Sequence, residues 1–207
     1  MSGRSAVVVG APLLAYVASL VHPRALTFGD EAWLFTAVHL GLAVIVCLLG
    51  WMVLLLVEGL HGAAATAARV LTLPFVVAYT AYTAYGGLAL GMFVVEANGL
   101  PVAEQQRAAE LIHRVSDSPV EDALYAVASL LWLAVVLSVV VALRRQAPWP
   151  ALALIALGAA SFARSHVWPW GPAGMGAVLA GVVWLELARR STGRVSGVAS
   201  RVTVGPG

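Results

Sequence analysis

Residues 74–98, PFVVAYTAYTAYGGLALGMFVVEAN, decide the fold of this chain. At about 1.5 Å of rise per residue, an α-helix of this length crosses a hydrocarbon core of about 30 Å. Gly87 and Gly91 are one helical turn apart, a spacing that lets a second helix approach closely where lipid provides no hydrophobic drive for association. The stretch therefore predicts a central membrane-spanning helix that packs tightly against a neighbour.

Polar residues occupy another side of this predicted helix. Tyr82, Tyr85 and Glu96 lie away from the glycine pair. An ionisable group at membrane depth is a functional-site hypothesis by default, so these residues predict a polar pocket. The alternative is that the hydroxyl groups only bond to neighbouring helices or to the backbone one turn back.

The composition supports a membrane protein. Of the 207 residues, 61% are hydrophobic and 11% are charged, whereas a soluble domain has about 45–50% apolar and about 25% charged residues. All 12 basic residues are arginines and the net charge is only +2. No soluble basic domain is present to bind nucleic acid, so we expect none as a partner. Cys47 is the single cysteine, which excludes a dithiol relay within the chain.

Six apolar runs predict an all-α, polytopic membrane helix bundle with six transmembrane helices. The runs are 6–21, 33–57, 70–95, 123–143, 149–163 and 172–187. The first, fifth and sixth runs reach only about 22–24 Å as helices, so they need flanking residues or a locally thinner bilayer to cross. The alternative is that the fifth and sixth runs form a re-entrant hairpin, which would place Arg164 and His166 at membrane depth at a cost of several kcal/mol.

Arginine placement predicts the orientation. With the N-terminus inside, eight arginines fall on the inner side and four on the outer side. Because cytoplasmic loops carry the excess of positive charge, we expect both termini inside a bacterial inner or plasma membrane, with the chain as a multi-pass protein of the cell membrane.

The connection at 99–122 and the C-terminal tail complete the domain organisation. Apolar residues recur at helical spacing after Pro101, which predicts a short amphipathic helix to about Val115 in the outer loop between the third and fourth spans. We expect it to lie on the membrane surface or to act as a lid. Residues 1–190 then form one six-span domain, and 191–207 a disordered cytoplasmic tail.

Polar residues collect toward the predicted outer leaflet. Asp122 and Tyr125 share one face of the fourth span, and Arg164 and His166 lie between the last two spans. These residues predict an outward-facing pocket for a small molecule or a lipid. The candidate pocket residues are His39, Tyr82, Tyr85, Glu96, Asp122, Tyr125, Arg164 and His166.

The histidines give no metal motif by spacing. His22, His39 and His166 lie on one predicted side, and imidazole suits several divalent metals. No pair of them has the i, i+4 spacing of a helical metal site, so the sequence predicts no metal site and no cofactor. Gly-x-Ser-x-Gly, His-Glu-x-x-His, P-loop and dinucleotide-binding signatures are also missing.

Three short motifs carry a resemblance to other proteins. They are Gly99–Leu–Pro–Val–Ala–Glu–Gln105, Ser165–His166 with Gly171–Pro172, and His22–Pro23. With these motifs the chain resembles a group of small uncharacterised multi-pass membrane proteins of high-GC bacteria. The resemblance implies a membrane protein and carries over no activity and no functional residue.

The sequence therefore supports several functions of different classes. The first is a non-catalytic membrane protein that binds a small ligand or lipid in an outward-facing polar pocket, or that is an accessory subunit of a membrane complex. The alternatives are an intramembrane enzyme that acts on a lipid or isoprenoid by acid–base chemistry, a small transporter, and a haem- or metal-binding membrane protein. Expected partners are the lipid bilayer, a small-molecule or lipid ligand, and a second copy of the chain.

Overall fold

A computed structural model of the chain describes residues 3–24, 26, 29 and 31–202, with side chains as far as Ser191. Within these residues the protein is all-α. The elements are α1 (Gly3–Val21), α2 (Glu31–Leu56), α3 (Ala63–Tyr82), a π-helical segment (Thr83–Ala89), α4 (Leu90–Ala97), α5 (Val102–Ser116), α6 (Pro119–Leu143), α7 (Trp149–Arg164) and α8 (Trp170–Val202).

The described helices form a bundle of the kind found in membrane proteins. Five helical stretches are long and apolar enough to cross a membrane, namely Gly3–Val21, Glu31–Leu56, Ala63–Ala97, Pro119–Leu143 and Trp170–Ser191. Each of the six predicted apolar runs lies on a helix. The run at 149–163 forms the shorter apolar helix α7, whose 16 residues give a length of about 24 Å.

The shorter helix α7 packs antiparallel to α8. A Cβ atom at Gly158 would lie 2.5 Å from the carbonyl oxygen of Gly174, and one at Gly181 would lie 2.6 Å from that of Ala151. These glycines let the two backbones touch, as small residues do between membrane helices. At the other end, the Ser161 hydroxyl donates to the Trp170 carbonyl over 2.9 Å. The contact extends along nearly the whole of α7.

The aromatic part of the core lies where α3 and α6 meet α7, and the core continues into α1, α2 and α8. Phe75, Tyr79, Trp132 and Phe162 are buried there with their rings in contact. The indole nitrogen of Trp132 donates to the Ala159 carbonyl over 3.2 Å, which satisfies its polar atom inside the bundle.

The central helix runs from Ala63 to Ala97 through α3, the π-helical segment and α4 without a break. The predicted close approach at its glycine pair is confirmed, and the partner is α2. A Cβ atom at Gly87 would overlap the ring of His39, and one at Gly91 would overlap the Thr36 side chain. Local π-helical turns are frequent at functional sites, and this one lies against a histidine.

The connection after α4 contains the helix α5 and the turn that begins α6. It forms the helix α5, over the range in which the sequence predicts a helix. Ser118 then caps α6, because its hydroxyl accepts a hydrogen bond from the backbone N–H of Glu121, and Pro119 occupies the first turn. The cap fixes Glu121 at the start of α6.

The predicted disordered tail, 191–207, lies almost wholly outside the residues whose side chains the structure describes. The backbone of α8 is helical to Val202.

Candidate functional site

Three histidines from separate parts of the fold meet inside the protein. His22 directly follows α1, His39 lies on α2, and His166 lies in the connection between α7 and α8. They are buried, with exposed fractions of 5%, 3% and 7%. The cluster therefore depends on the assembly of the bundle and not on any local motif.

The ring nitrogens of the three histidines converge. One ring nitrogen of each residue lies within 4.8 Å of those of the other two. The Nε2 atoms of His22 and His39 are 3.4 Å apart. The His166 ring centroid lies 5.1 Å from that of His22 and 6.0 Å from that of His39.

Backbone hydrogen bonds orient two of the rings. His22 Nδ1 lies 2.5 Å from the Pro23 carbonyl oxygen, and His39 Nδ1 lies 2.8 Å from the Phe35 carbonyl oxygen. A carbonyl only accepts, so both Nδ1 atoms carry the proton and donate it. Both Nε2 atoms then present lone pairs toward each other. Metal-binding histidines show this arrangement, in which the second ring nitrogen donates to a carbonyl and fixes the tautomer.

His166 is left with an unused polar atom. Its Nδ1 is buried and has no hydrogen-bond partner among the described residues. A buried polar atom without a partner costs about 1–3 kcal/mol. A cation bound among the three rings would accept a lone pair from a ring nitrogen of His166 together with the two Nε2 lone pairs.

The environment keeps these rings neutral. Burial, together with the neighbouring His22 and His39, lowers the pKa of His166 to about 3. Burial also lowers the pKa of His22, although its hydrogen bond to the Pro23 carbonyl partly opposes this. Neutral imidazole is the form that binds a metal ion, so the cluster is ready to do so at neutral pH.

Two of the three donor nitrogens have the spacing of a zinc site, and the third lies within 4.8 Å of them. Tetrahedral zinc with Zn–N bonds of about 2.0–2.1 Å has ligand nitrogens about 3.3–3.4 Å apart. His22 Nε2 and His39 Nε2 already have this separation, at 3.4 Å. Three nitrogen ligands leave the fourth position open, as in catalytic zinc sites, whereas structural sites are closed by four protein ligands.

The cluster faces a cavity of about 630 Å³ beneath α5. We call it the histidine cavity. Tyr82 and Gly86 of the central helix line it, as do Asp117 and Glu121 beyond α5. A Cβ atom at Gly86 would lie 2.8 Å from Glu121 Oε1, so this glycine makes room for the carboxylate. The other oxygen of Glu121, Oε2, is buried without a hydrogen-bond partner among the described residues.

A second, apolar cavity of about 580 Å³ lies between α4 and α5 and adjoins the first. Leu90 and Ile112 line both cavities. The rest of its lining is almost entirely hydrocarbon: Phe93, Ala97, Leu100, Ala108, Leu111 and Val115, with Glu96 as the one ionisable residue named in the lining. We call this cavity the α4–α5 groove.

The predicted pocket residues divide among these cavities. His39, Tyr82 and His166 line the histidine cavity. Asp122, Tyr125 and Arg164 line a smaller cavity of about 260 Å³ beside it, to which Tyr82 and His166 also contribute.

Two predicted residues, Glu96 and Tyr85, line neither the histidine cavity nor the smaller cavity beside it. Glu96 lies in the α4–α5 groove. The Tyr85 hydroxyl lies 3.4 Å from the Ser118 hydroxyl. Seven of the eight residues predicted for one pocket therefore line three adjoining cavities, and Tyr85 lines none of these three.

The sequence prediction leaves out two residues of the site. His22 is not among the predicted pocket residues, because its position before Pro23 is also that of an ordinary helix end. Glu121 is missing because its place under α5 depends on the Ser118 cap. The spacing rule that argues against a metal applies to two ligands on one helix, whereas these three histidines come from three separate elements. Their common place toward the predicted outer leaflet is the signal that the sequence offers.

Comparisons with protein-family models, with curated proteins and with solved structures give no match to this chain. The likeness to bacterial multi-pass proteins therefore stays a prediction, and the function is argued from the site alone.

Proposed function

We propose that this protein is a multi-pass membrane protein that binds one divalent transition-metal ion, zinc in the first place, at His22, His39 and His166. The observation that carries the proposal is the pair of Nε2 lone pairs that face each other at 3.4 Å, with both Nδ1 atoms bonded to backbone carbonyls. Two lone pairs at this distance have no proton between them, so they repel unless a cation is shared.

His166 supports the same function. Its buried Nδ1 has no hydrogen-bond partner in the part of the chain that the structure describes, and a ring nitrogen of this residue lies within 4.8 Å of one in each of the other two. A histidine that serves only to fill the core would be expected to have its polar atoms satisfied. Three neutral imidazoles also suit copper, and the donor set alone favours zinc only through its geometry and its open position.

We further propose six spans in a bacterial cell membrane, with both termini inside and the histidine centre toward the outer side. The excess of arginine on the predicted inner side supports this orientation. The packing of α7 along α8 supports a sixth span despite its short length, because a small-residue contact with a long neighbour keeps it at membrane depth.

The test is metal binding by the purified full chain. The protein is purified in mild detergent, stripped with a chelator, reloaded with zinc or cobalt(II), and desalted before elemental analysis. We expect about one metal ion per chain, and cobalt(II) should give the intense visible absorption of a four-coordinate site. His39→Ala should lose both signals, and so should His166→Ala.

His61→Ala is the matched control. His61 is exposed and does not line the histidine cavity. This variant should bind metal like the wild type. Wild-type protein that retains no zinc, cobalt or copper would overturn the proposal, and so would equal metal content in His39→Ala and His61→Ala.

A further inference from the structure

The open side of the histidine cluster faces a space with two chemically different parts. The histidine cavity contains the Glu121 carboxylate and the Tyr82 side chain, whereas the adjoining α4–α5 groove is hydrocarbon along most of its length. A ligand that fills both must have a polar group joined to an apolar chain. In a membrane, the abundant molecules of this kind are lipids that carry an acyl chain.

The position of Glu121 also points to acid–base chemistry at this site. It stands beside Gly86, whereas His39 stands beside Gly87, so two consecutive glycines let the carboxylate and the imidazole approach the same turn of the central helix. One carboxylate oxygen is buried without a hydrogen-bond partner among the described residues. A base that is held in a water-accessible cavity and is not neutralised by an ion pair is suited to accept a proton.

We propose that the site hydrolyses an ester or amide bond of an acyl amphiphile, with the acyl chain in the α4–α5 groove and the carbonyl group at the three histidines. This inference rests on the metal site proposed above and deepens it. Zinc, when bound, lowers the pKa of an adjacent water molecule and polarises a carbonyl group. Glu121 is the general base.

The reaction needs no reactant besides water. The water oxygen forms a bond to the carbonyl carbon, and the bond from that carbon to the ester oxygen or amide nitrogen breaks. The Glu121 carboxylate takes one proton from the water and passes it to the departing oxygen or nitrogen. The products are a carboxylic acid and an alcohol or amine, and no group is oxidised or reduced.

The apolar groove sets the substrate class. Its lining includes Phe93 and Leu111, both more than half exposed, so the groove opens at the surface of the bundle where lipid chains lie. Glu96 in the same lining disfavours a second negative charge, which argues for a hydrocarbon chain and against an anionic occupant. Burying one methylene group contributes about 0.8 kcal/mol, so chain length should strongly affect binding.

The experiment uses zinc-loaded full-length protein in detergent with fluorogenic esters and amides of butanoic and dodecanoic acid as probes. Wild type should hydrolyse the dodecanoyl probes with a much higher kcat/KM than the butanoyl probes. Glu121→Gln should lower kcat by about a hundredfold or more, the usual contribution of a general base, and should keep its zinc. Glu110→Gln is the control, because this exposed carboxylate of α5 lines neither cavity.

A second pair of variants tests the groove. Ala108 lines the α4–α5 groove and is half-buried, whereas Ala103 on the same helix is exposed and lines neither cavity. Ala108→Phe should abolish the preference for the longer chain and leave the zinc content unchanged. Ala103→Phe should behave like the wild type.

The results separate this inference from the metal proposal. Protein that binds one zinc ion but hydrolyses none of the probes would overturn the hydrolytic activity and leave the metal site in place. Full activity in Glu121→Gln would remove its role as the base, and an unchanged chain-length preference in Ala108→Phe would remove the groove. Absence of zinc from the wild type would instead overturn the metal site itself.

Discussion

Gly87 has a specific role in holding His39 in place. A methyl group at this position would overlap the imidazole ring, which is already fixed by its bond to the Phe35 carbonyl. We expect Gly87→Ala to displace the ring or to separate α2 from the π-helical segment. Overpacking of this kind costs about 1–3 kcal/mol, and metal affinity should fall with it. Denaturant titration in detergent and metal content measure the two effects.

Gly41 provides the matched control for this substitution. It lies on α2, two residues from His39, but a Cβ atom there would meet nothing within 4 Å. Gly41→Ala should leave both metal content and stability near those of the wild type. If Gly87→Ala also behaves like the wild type, the glycine is not needed to seat the histidine.

At the residue scale, the sequence predicts which polar groups matter better than it predicts which ones meet. His39 and His166 are predicted because both lie toward the outer leaflet, His39 about two turns inside the second run and His166 between the last two. Their convergence with His22 depends on how α1, α2 and α7 are arranged around the core, and no local spacing encodes this. Glu121 enters the cavity through the turn at Ser118, which a pattern of apolar residues does not describe.

At the scale of elements, α1 is tied to α8 by a buried carboxylate. Arg4 donates to Glu186 over 2.9 Å, and the Ser5 hydroxyl donates to the same carboxylate over 2.9 Å. Glu186 is only 6% exposed. Glu186→Ala should lower the free energy of unfolding by about 1.5–3 kcal/mol, the usual range for hydrogen bonds to a charged group. Unfolding by SDS titration measures the loss.

Glu58 is the control for this contact. It lies 3.9 Å from the same arginine, but its side chain is 68% exposed. Exposed ion pairs contribute little, so Glu58→Ala should change stability by no more than about 0.5 kcal/mol. Equal losses in both variants would show that burial of Glu186 does not strengthen the contact.

Helix positions follow closely from the sequence because lipid imposes a simple rule. A run apolar on all sides must be helical to satisfy its backbone in a membrane, so hydropathy locates α1, α2, the central helix, α6, α7 and α8. The π-helical segment does not follow from this rule. It lies where Gly86 and Gly87 meet Glu121 and His39, which are distant in the chain.

At the scale of the whole molecule, the arrangement depends on whether α7 crosses the membrane. Its 16 residues span about 24 Å, less than a typical hydrocarbon core of about 30 Å. If α7 crosses, its two ends face opposite sides of the membrane and His166 shares a side with α5. If α7 and α8 form a re-entrant hairpin, the start of α7 and the end of the apolar part of α8 face one side, and Arg164 and His166 lie at membrane depth.

Single cysteines distinguish these two arrangements. In a Cys47→Ser background, Glu104→Cys on α5 and Trp168→Cys should react with a membrane-impermeant maleimide in intact cells, because both positions are exposed on the proposed outer side. Gln146→Cys, before α7, should react only after the cells are lysed. Labelling of Trp168→Cys only after lysis, as for Gln146→Cys, would contradict six spans. The histidine cluster would then not lie on the outer side, because His166 is two residues from Trp168.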